Sequence, residues 1–122
     1  MIIVKAKGSS YIFGGFTSIG WDSSSGWKSD PNAFIFSLTN KDNKPCKIRQ
    51  INTTYSICCM SGYGPIFGRG HDIRVCDYAN TTLGSYSKLD HSYELPQPCQ
   101  GQSYLAGSDQ FLLSEIEVYK KE

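Results

Sequence analysis

The chain has 122 residues, 19% of them charged, and a formal net charge of +1. That length suits one domain with enough chain to cover roughly two-thirds of its unfolded surface. The near-neutral balance excludes a basic field that would recruit nucleic acid or anionic lipid by charge alone. The composition, with 8 Tyr, 6 Phe and 12 Gly and many Ser, Thr and Asn between short apolar runs, points to β structure.

Met1-Ile2-Ile3-Val4 is apolar, but Lys5 and Lys7 interrupt it before a signal-peptide core can form. No apolar run is long enough to span a bilayer. Five cysteines (Cys46, Cys58, Cys59, Cys76, Cys99) make an odd count. Without a secretory address this predicts reduced thiols and a cytoplasmic setting. Asn52-Thr53-Thr54 and Asn80-Thr81-Thr82 match the glycosylation acceptor pattern, which carries no weight without secretion.

In chain order, Ile2 to Lys7 alternates, with Ile2, Val4 and Ala6 on one face. Gly8-Ser9-Ser10 is a turn, and Tyr11 to Phe16 returns as the second strand of a hairpin. Gly14 and Gly15 lie between Phe13 and Phe16. They permit a bend, a bulge or a close backbone approach, with a buried ring expected on either side. Ile19 to Pro31 is polar and reads as a loop that buries Trp21 and Trp27 beneath it. Asn32 to Thr39 is the clearest strand, with Phe34 and Phe36 on one face and Ala33, Ile35 and Ser37 on the other, as in a central strand apolar on both faces.

A polar turn, Asn40 to Pro45, leads into a half-exposed strand with Cys46 and Ile48. Tyr55 to Met60 is a further short strand. Gly62, Gly64, Pro65, Gly68 and Gly70 predict a tight shaped loop. Asp72 to Asp77 reads as a strand with Ile73 and Val75 inward, and Asp72 and Arg74 outward. Short strands are expected around Tyr86 and Tyr93, then a loop from Gln97 to Ser103. Phe111 to Lys120 closes the chain as a strand. No helical period extends beyond about eight residues. The fold class is therefore mainly β, a two-layer antiparallel β-sandwich with at most short helices.

The chemistry-bearing residues yield no catalytic, cofactor or metal assignment. Adjacent Cys58 and Cys59 point to opposite faces of a strand, so they cannot easily share a zinc ion. His71 could hold a thiolate, but His71 and Asp72 are expected instead to tie the glycine loop to backbone groups. The glycine loop lacks the Gly-Lys-Ser/Thr ending of a phosphate cradle. Glu115 and Glu117 share a strand face about 6.5 Å apart, within the range of glycosidase acids, yet on an exposed face such a pair is simply solvated.

Taken together, several stretches resemble the TLDc (TLD) domain family. They are Phe13-Gly14-Gly15-Phe16-Thr17-Ser18 with Trp21, Asn32-Ala33-Phe34-Ile35-Phe36-Ser37-Leu38, Gly64-Pro65-Ile66-Phe67-Gly68 through Gly70-His71-Asp72-Ile73, Tyr93-Glu94-Leu95-Pro96, Tyr104-Leu105-Ala106-Gly107, and Glu115-Ile116-Glu117-Val118-Tyr119. The similarity covers nearly all of residues 1–122, read as a single domain that opens directly in the first hairpin and lacks the family's N-terminal portion. The chain is then either a fragment of a longer polypeptide or an abbreviated domain, and in the second case part of the sandwich lacks its cover and exposes apolar surface.

The resemblance implies a β-sandwich flanked by short helices. It further implies a non-enzymatic protein-interaction domain, protection against oxidative stress and, as in several members, binding and regulation of the vacuolar-type proton ATPase; the near-neutral charge and short apolar runs predict no nucleic-acid partner and no membrane insertion. It brings no catalytic residues with it. Two other classes stand beside this one: a redox or hydrolytic enzyme using a thiol or His71, and a sugar-binding sandwich using Trp21, Trp27 and the Tyr78–Tyr93 region.

Overall fold

A computed structural model describes residues 1–21, 25–60, 63–96, 103–108 and 110–120. The described residues form two antiparallel sheets packed as a sandwich. The strands are β1 (Ile2–Ala6), β2 (Ile12–Phe16), β3 (Gly26–Lys28), β4 (Phe34–Thr39), β5 (Cys46–Ile48), β6 (Ile57–Cys59), β7 (Tyr63–Phe67), β8 (Ile73–Cys76), β9 (Ser85–Ser87), β10 (Gln110–Phe111) and β11 (Leu113–Val118). The first sheet runs β11-β1-β2-β4-β5 and the second β10-β9-β8-β7-β6-β3. Among the described residues helix is confined to one 3-10 turn, Thr53–Tyr55, capped by the Asn52 side chain accepting from the Thr54 N–H at 2.9 Å. No helix among these residues is long and apolar enough to cross a membrane.

Period-two patterning puts Ile2, Val4, Ala6, Phe13 and Ile35 on the inner face of the first sheet, opposite Ile57, Phe67, Ile73 and Val75 of the second. Aromatic edges tie the elements together: Phe13 of the first sheet meets Phe111 of the second at 5.5 Å, and Trp21 at 5.2 Å and Tyr93 at 6.1 Å pack on Phe67, all T-shaped. Tyr104, Leu105 and Ala106 plug one side of the core. Their turn is pinned to the first hairpin by the Ser9 hydroxyl donating to the Ala106 carbonyl at 2.7 Å.

Several expectations change. β2 runs straight through Gly14 and Gly15, and its register shift lies at Ile12/Phe13. The glycines serve close approach on both faces. A Cβ on Gly14 would sit 2.0 Å from the Ile2 carbonyl oxygen, and one on Gly15 would sit 2.4 Å from the Phe67 ring. Phe13 is buried, whereas Phe16 lies half-buried on the outer face against Phe34 at 5.4 Å. β4 is second from an edge, and its outer-face Phe34 and Phe36 are only half-buried.

The segment expected to be a loop holding both tryptophans contains β3, and Trp27 on that edge strand is 48% exposed. Gly64 and Pro65 fall inside β7, whose pairing with β8 is irregular between Tyr63 and Ile66, a tolerated place for proline. Asp72 is buried rather than outward. Cys99 and residues 97–102 of the expected 97–103 loop lie outside the described residues.

Candidate interaction surface

The glycine-rich segment closes in a turn through Gly68–Asp72. Gly68 has φ +83°, and a Cβ there would meet the Asp72 carboxylate at 2.0 Å. Only glycine permits that contact. The carboxylate reaches across to the segment before Tyr93. It accepts from the N–H groups of His91 at 3.3 Å, Ser92 at 3.2 Å and Tyr93 at 3.1 Å. Burial pushes the Asp72 carboxyl up to about 6, outweighing these donors and the nearby His91.

Asp30, also buried, goes the other way. Burial opposes its charge, but hydrogen bonds from Thr17, Ser18 and Asn32 prevail and hold it below the usual carboxylate value. Between the two carboxylates lies Ser56, whose hydroxyl contacts Gln50 and accepts from the Asp30 N–H at 2.9 Å. The Ser56 carbonyl takes the Tyr93 hydroxyl at 2.7 Å. This polar knot fixes the loops beneath the outer face of the second sheet.

That outer face carries one continuous cross-strand row: Trp27, Cys58, Ile66, Arg74, Tyr86 and Gln110, each opposite the next. Cys58 and Ile66 are buried in its middle. Around them, rings and guanidinium groups make two clusters. The Arg69 guanidinium lies over Tyr55 at 4.9 Å and over Trp27 at 5.7 Å. Its Nη1 donates to the Tyr55 hydroxyl at 3.3 Å, and the Trp27 and Tyr55 rings meet edge-on at 5.9 Å. Arg74 lies over Tyr86 at 4.1 Å and Tyr63 at 5.0 Å, and its Nε donates to the Gly84 carbonyl at 3.0 Å. Both guanidinium groups are held by aromatic faces.

The residues singled out from the sequence are dispersed. Of the expected His71-Asp72 tie, Asp72 supplies all of the hydrogen bonding just described. His71 instead stacks on Tyr86 at 5.9 Å, and its buried Nδ1 has no hydrogen-bond partner, thiol or otherwise, among the described residues. Burial, then Arg74, lowers its pKa, which keeps the ring neutral at pH 7. Cys58, Cys59 and Cys76 are buried, Cys46 half-buried. Burial raises the Cys58 thiol, the opposite of what a reactive thiolate needs.

Trp21 is tied down by its indole N–H donating to the Ile66 carbonyl at 3.1 Å and packs against inward-facing Phe67. Trp27 stands on the outer row of the same sheet, so the two indoles offer no shared sugar platform. Glu115 and Glu117 are exposed on β11. Among the described residues, no three His, Cys, Asp or Glu side chains gather as a metal site requires. Sequence reading missed Tyr55 and Arg69. Only the outward setting of Arg74 was available from alternation, because cross-strand neighbours depend on register.

The fold defines an all-β, two-sheet sandwich domain. A family model described as TLDc domain matches residues 1–122, and the chain belongs to that family. No curated protein and no solved structure matches it.

Proposed function

We propose that this TLDc domain works by presenting its surface to a protein partner, with the Trp27–Tyr55–Arg69 cluster as the contact. The carrying observation is compositional and geometric together. Trp, Tyr and Arg dominate binding energy at protein interfaces. Here they meet on an edge strand with the indole 48% exposed and the guanidinium already oriented by two rings. Such pre-ordering reduces the entropy lost on association.

The partner proposed is the vacuolar-type proton ATPase, which the family resemblance implies, and the location proposed is the cytoplasm, which the odd cysteine count favours. Protection against oxidative stress would then act through that partner. The burial of Cys58, Cys59 and Cys76 supports this reading over chemistry by those three thiols. Pull-down of the folded domain with purified vacuolar-type proton ATPase tests the reading. Retention is expected, and Trp27→Ala or Arg69→Ala weakens it by about tenfold or more. Failure of the folded domain to be retained removes that partner. Retention unchanged in both variants moves the contact elsewhere.

A further inference from the structure

Among the described residues the sandwich has four sheet edges, and three of them are short: β5 and β3 have three residues each and β10 has two. β11, at the remaining edge, has six. Long open edges invite pairing with another chain, and proteins ordinarily shorten, charge or cover them.

At the first residue of β11 the Leu113 N–H already donates to the Ala79 carbonyl at 2.9 Å, and from Glu115 on the backbone of the strand is half used. Met1 and Tyr119 exchange both of their hydrogen bonds, at 2.9 and 2.8 Å. Antiparallel bonding alternates from that point. The backbone groups of Glu117 and Glu115 therefore point toward β1, and those of Val118 and Ile116 point away from the sheet.

The side chains of the strand are also unevenly covered. Val118 pairs with Ile2 and Ile116 with Val4, so both lie on the face that is core elsewhere in the sheet. Yet Ile2 and Val4 are buried, while Ile116 is 47% and Val118 70% exposed. Beside them runs a groove of about 460 Å³, with Pro65, Val75, Tyr78, Ala79, Leu113 and Ile116 in its lining. On the other face of the strand Glu115 and Glu117 stand exposed.

We propose that β11 is a docking edge that takes up an extended segment of a partner protein as a sixth strand of the first sheet. The segment alternates apolar and basic residues. Main-chain bonding would go to Ile116 and Val118, one strand spacing (about 4.8 Å) away. The segment's apolar side chains enter the groove beside Ile116 and Val118. Its Lys or Arg side chains fall beside Glu115 and Glu117, where opposite charges across neighbouring strands are favourable. The same charges disfavour a second copy of this chain, because β11 against β11 brings its glutamates together on one face. This edge is separate from the Trp27 cluster, which lies on β3 of the other sheet.

The test uses the folded chain and a nine-residue peptide alternating Val and Lys, followed by backbone amide shifts and fluorescence anisotropy. Expected results are saturable binding with the largest shifts at Ile116 and Val118, and at least a tenfold loss when a central Val is replaced by Pro. The surface variant Glu115→Lys/Glu117→Lys, with its thermal midpoint checked against the parent, loses the Val/Lys peptide by at least tenfold and gains a Val/Glu peptide. The proposal is overturned by absence of binding, by shifts centred on another edge, or by binding indifferent to proline or to the charge swap. A concentration-dependent dimer formed through β11 also overturns it.

Discussion

At single positions the structure separates glycines that matter from those that do not. Gly14 lies under the Ile2 carbonyl on one side and the Phe36 ring on the other, so a methyl group there has no room without moving backbone. Gly14→Ala is expected to cost about 3 kcal/mol. Gly20 has no positive φ, and nothing lies within 4 Å of the place a methyl group would take, so it accepts alanine within about 0.5 kcal/mol. Urea unfolding of the pair checks this, and similar losses in both would refute the close-approach account. Asp72 supplies a pH signature. Its folded pKa of about 6 exceeds the ordinary 3.8. The carboxyl's contribution is therefore full below the unfolded value and lost as pH rises through the folded one. The shift corresponds to about 3 kcal/mol. Between pH 4.5 and 7.5 the parent should lose on the order of 2 kcal/mol more stability than Asp72→Asn. Asp30, held low, acts in the opposite sense and loses its contribution as pH falls through its lowered value.

Between elements, the joint that matters is Ser56, just before β6. Its hydroxyl touches the loop before β4 through Asp30 and the segment after β5 through Gln50, and its carbonyl binds Tyr93. Ser56 and Asp30 are buried, so truncation strands the Asp30 N–H without water and removes the partner of the half-buried Gln50 oxygen. Ser56→Ala is expected to cost about 2 to 3 kcal/mol, against about 1 for Tyr93→Phe, which loses one neutral hydrogen bond. Thermal or urea unfolding of both variants measures the difference, and equal losses would show that the hydroxyl is not the hub. Nothing in the sequence around Ser56 announces this role. Alternation exposed the strand cores, as at Ile2, Val4 and Ala6 or at Ile73 and Val75, because a period of two is a local property. Apart from Ser56–Gln50, the Ser56 and Asp72 contacts described above join residues 19 to 37 positions apart, and no local pattern encodes such partners.

For the molecule as a whole, the sandwich was legible because aromatic and β-branched runs recur between turn residues. The family motifs marked the same strands. The glycine cluster misled for a physical reason: Gly64 and Pro65 disfavour regular pairing, yet β7 tolerates them where its register with β8 is irregular. The interaction face was hidden because Trp27, Tyr55, Arg69 and Arg74 come together only once β3, β6, β7 and β8 are in register. The second sheet also buries Cys58 and Cys59 on β6 and Cys76 on β8, which gives a readout of its integrity. In the native protein iodoacetamide should reach half-buried Cys46 before these three. Cys58, Cys59 and Cys76 should react together, only as fast as the population of opened molecules allows, so each kcal/mol of added urea destabilisation speeds all three by about fivefold. Mass spectrometry of the labelled peptides follows each thiol separately. If Cys58 or Cys59 were modified well ahead of global unfolding, the outer row would be opening on its own, and the rigid platform assigned to Trp27 and Arg69 would lose its footing.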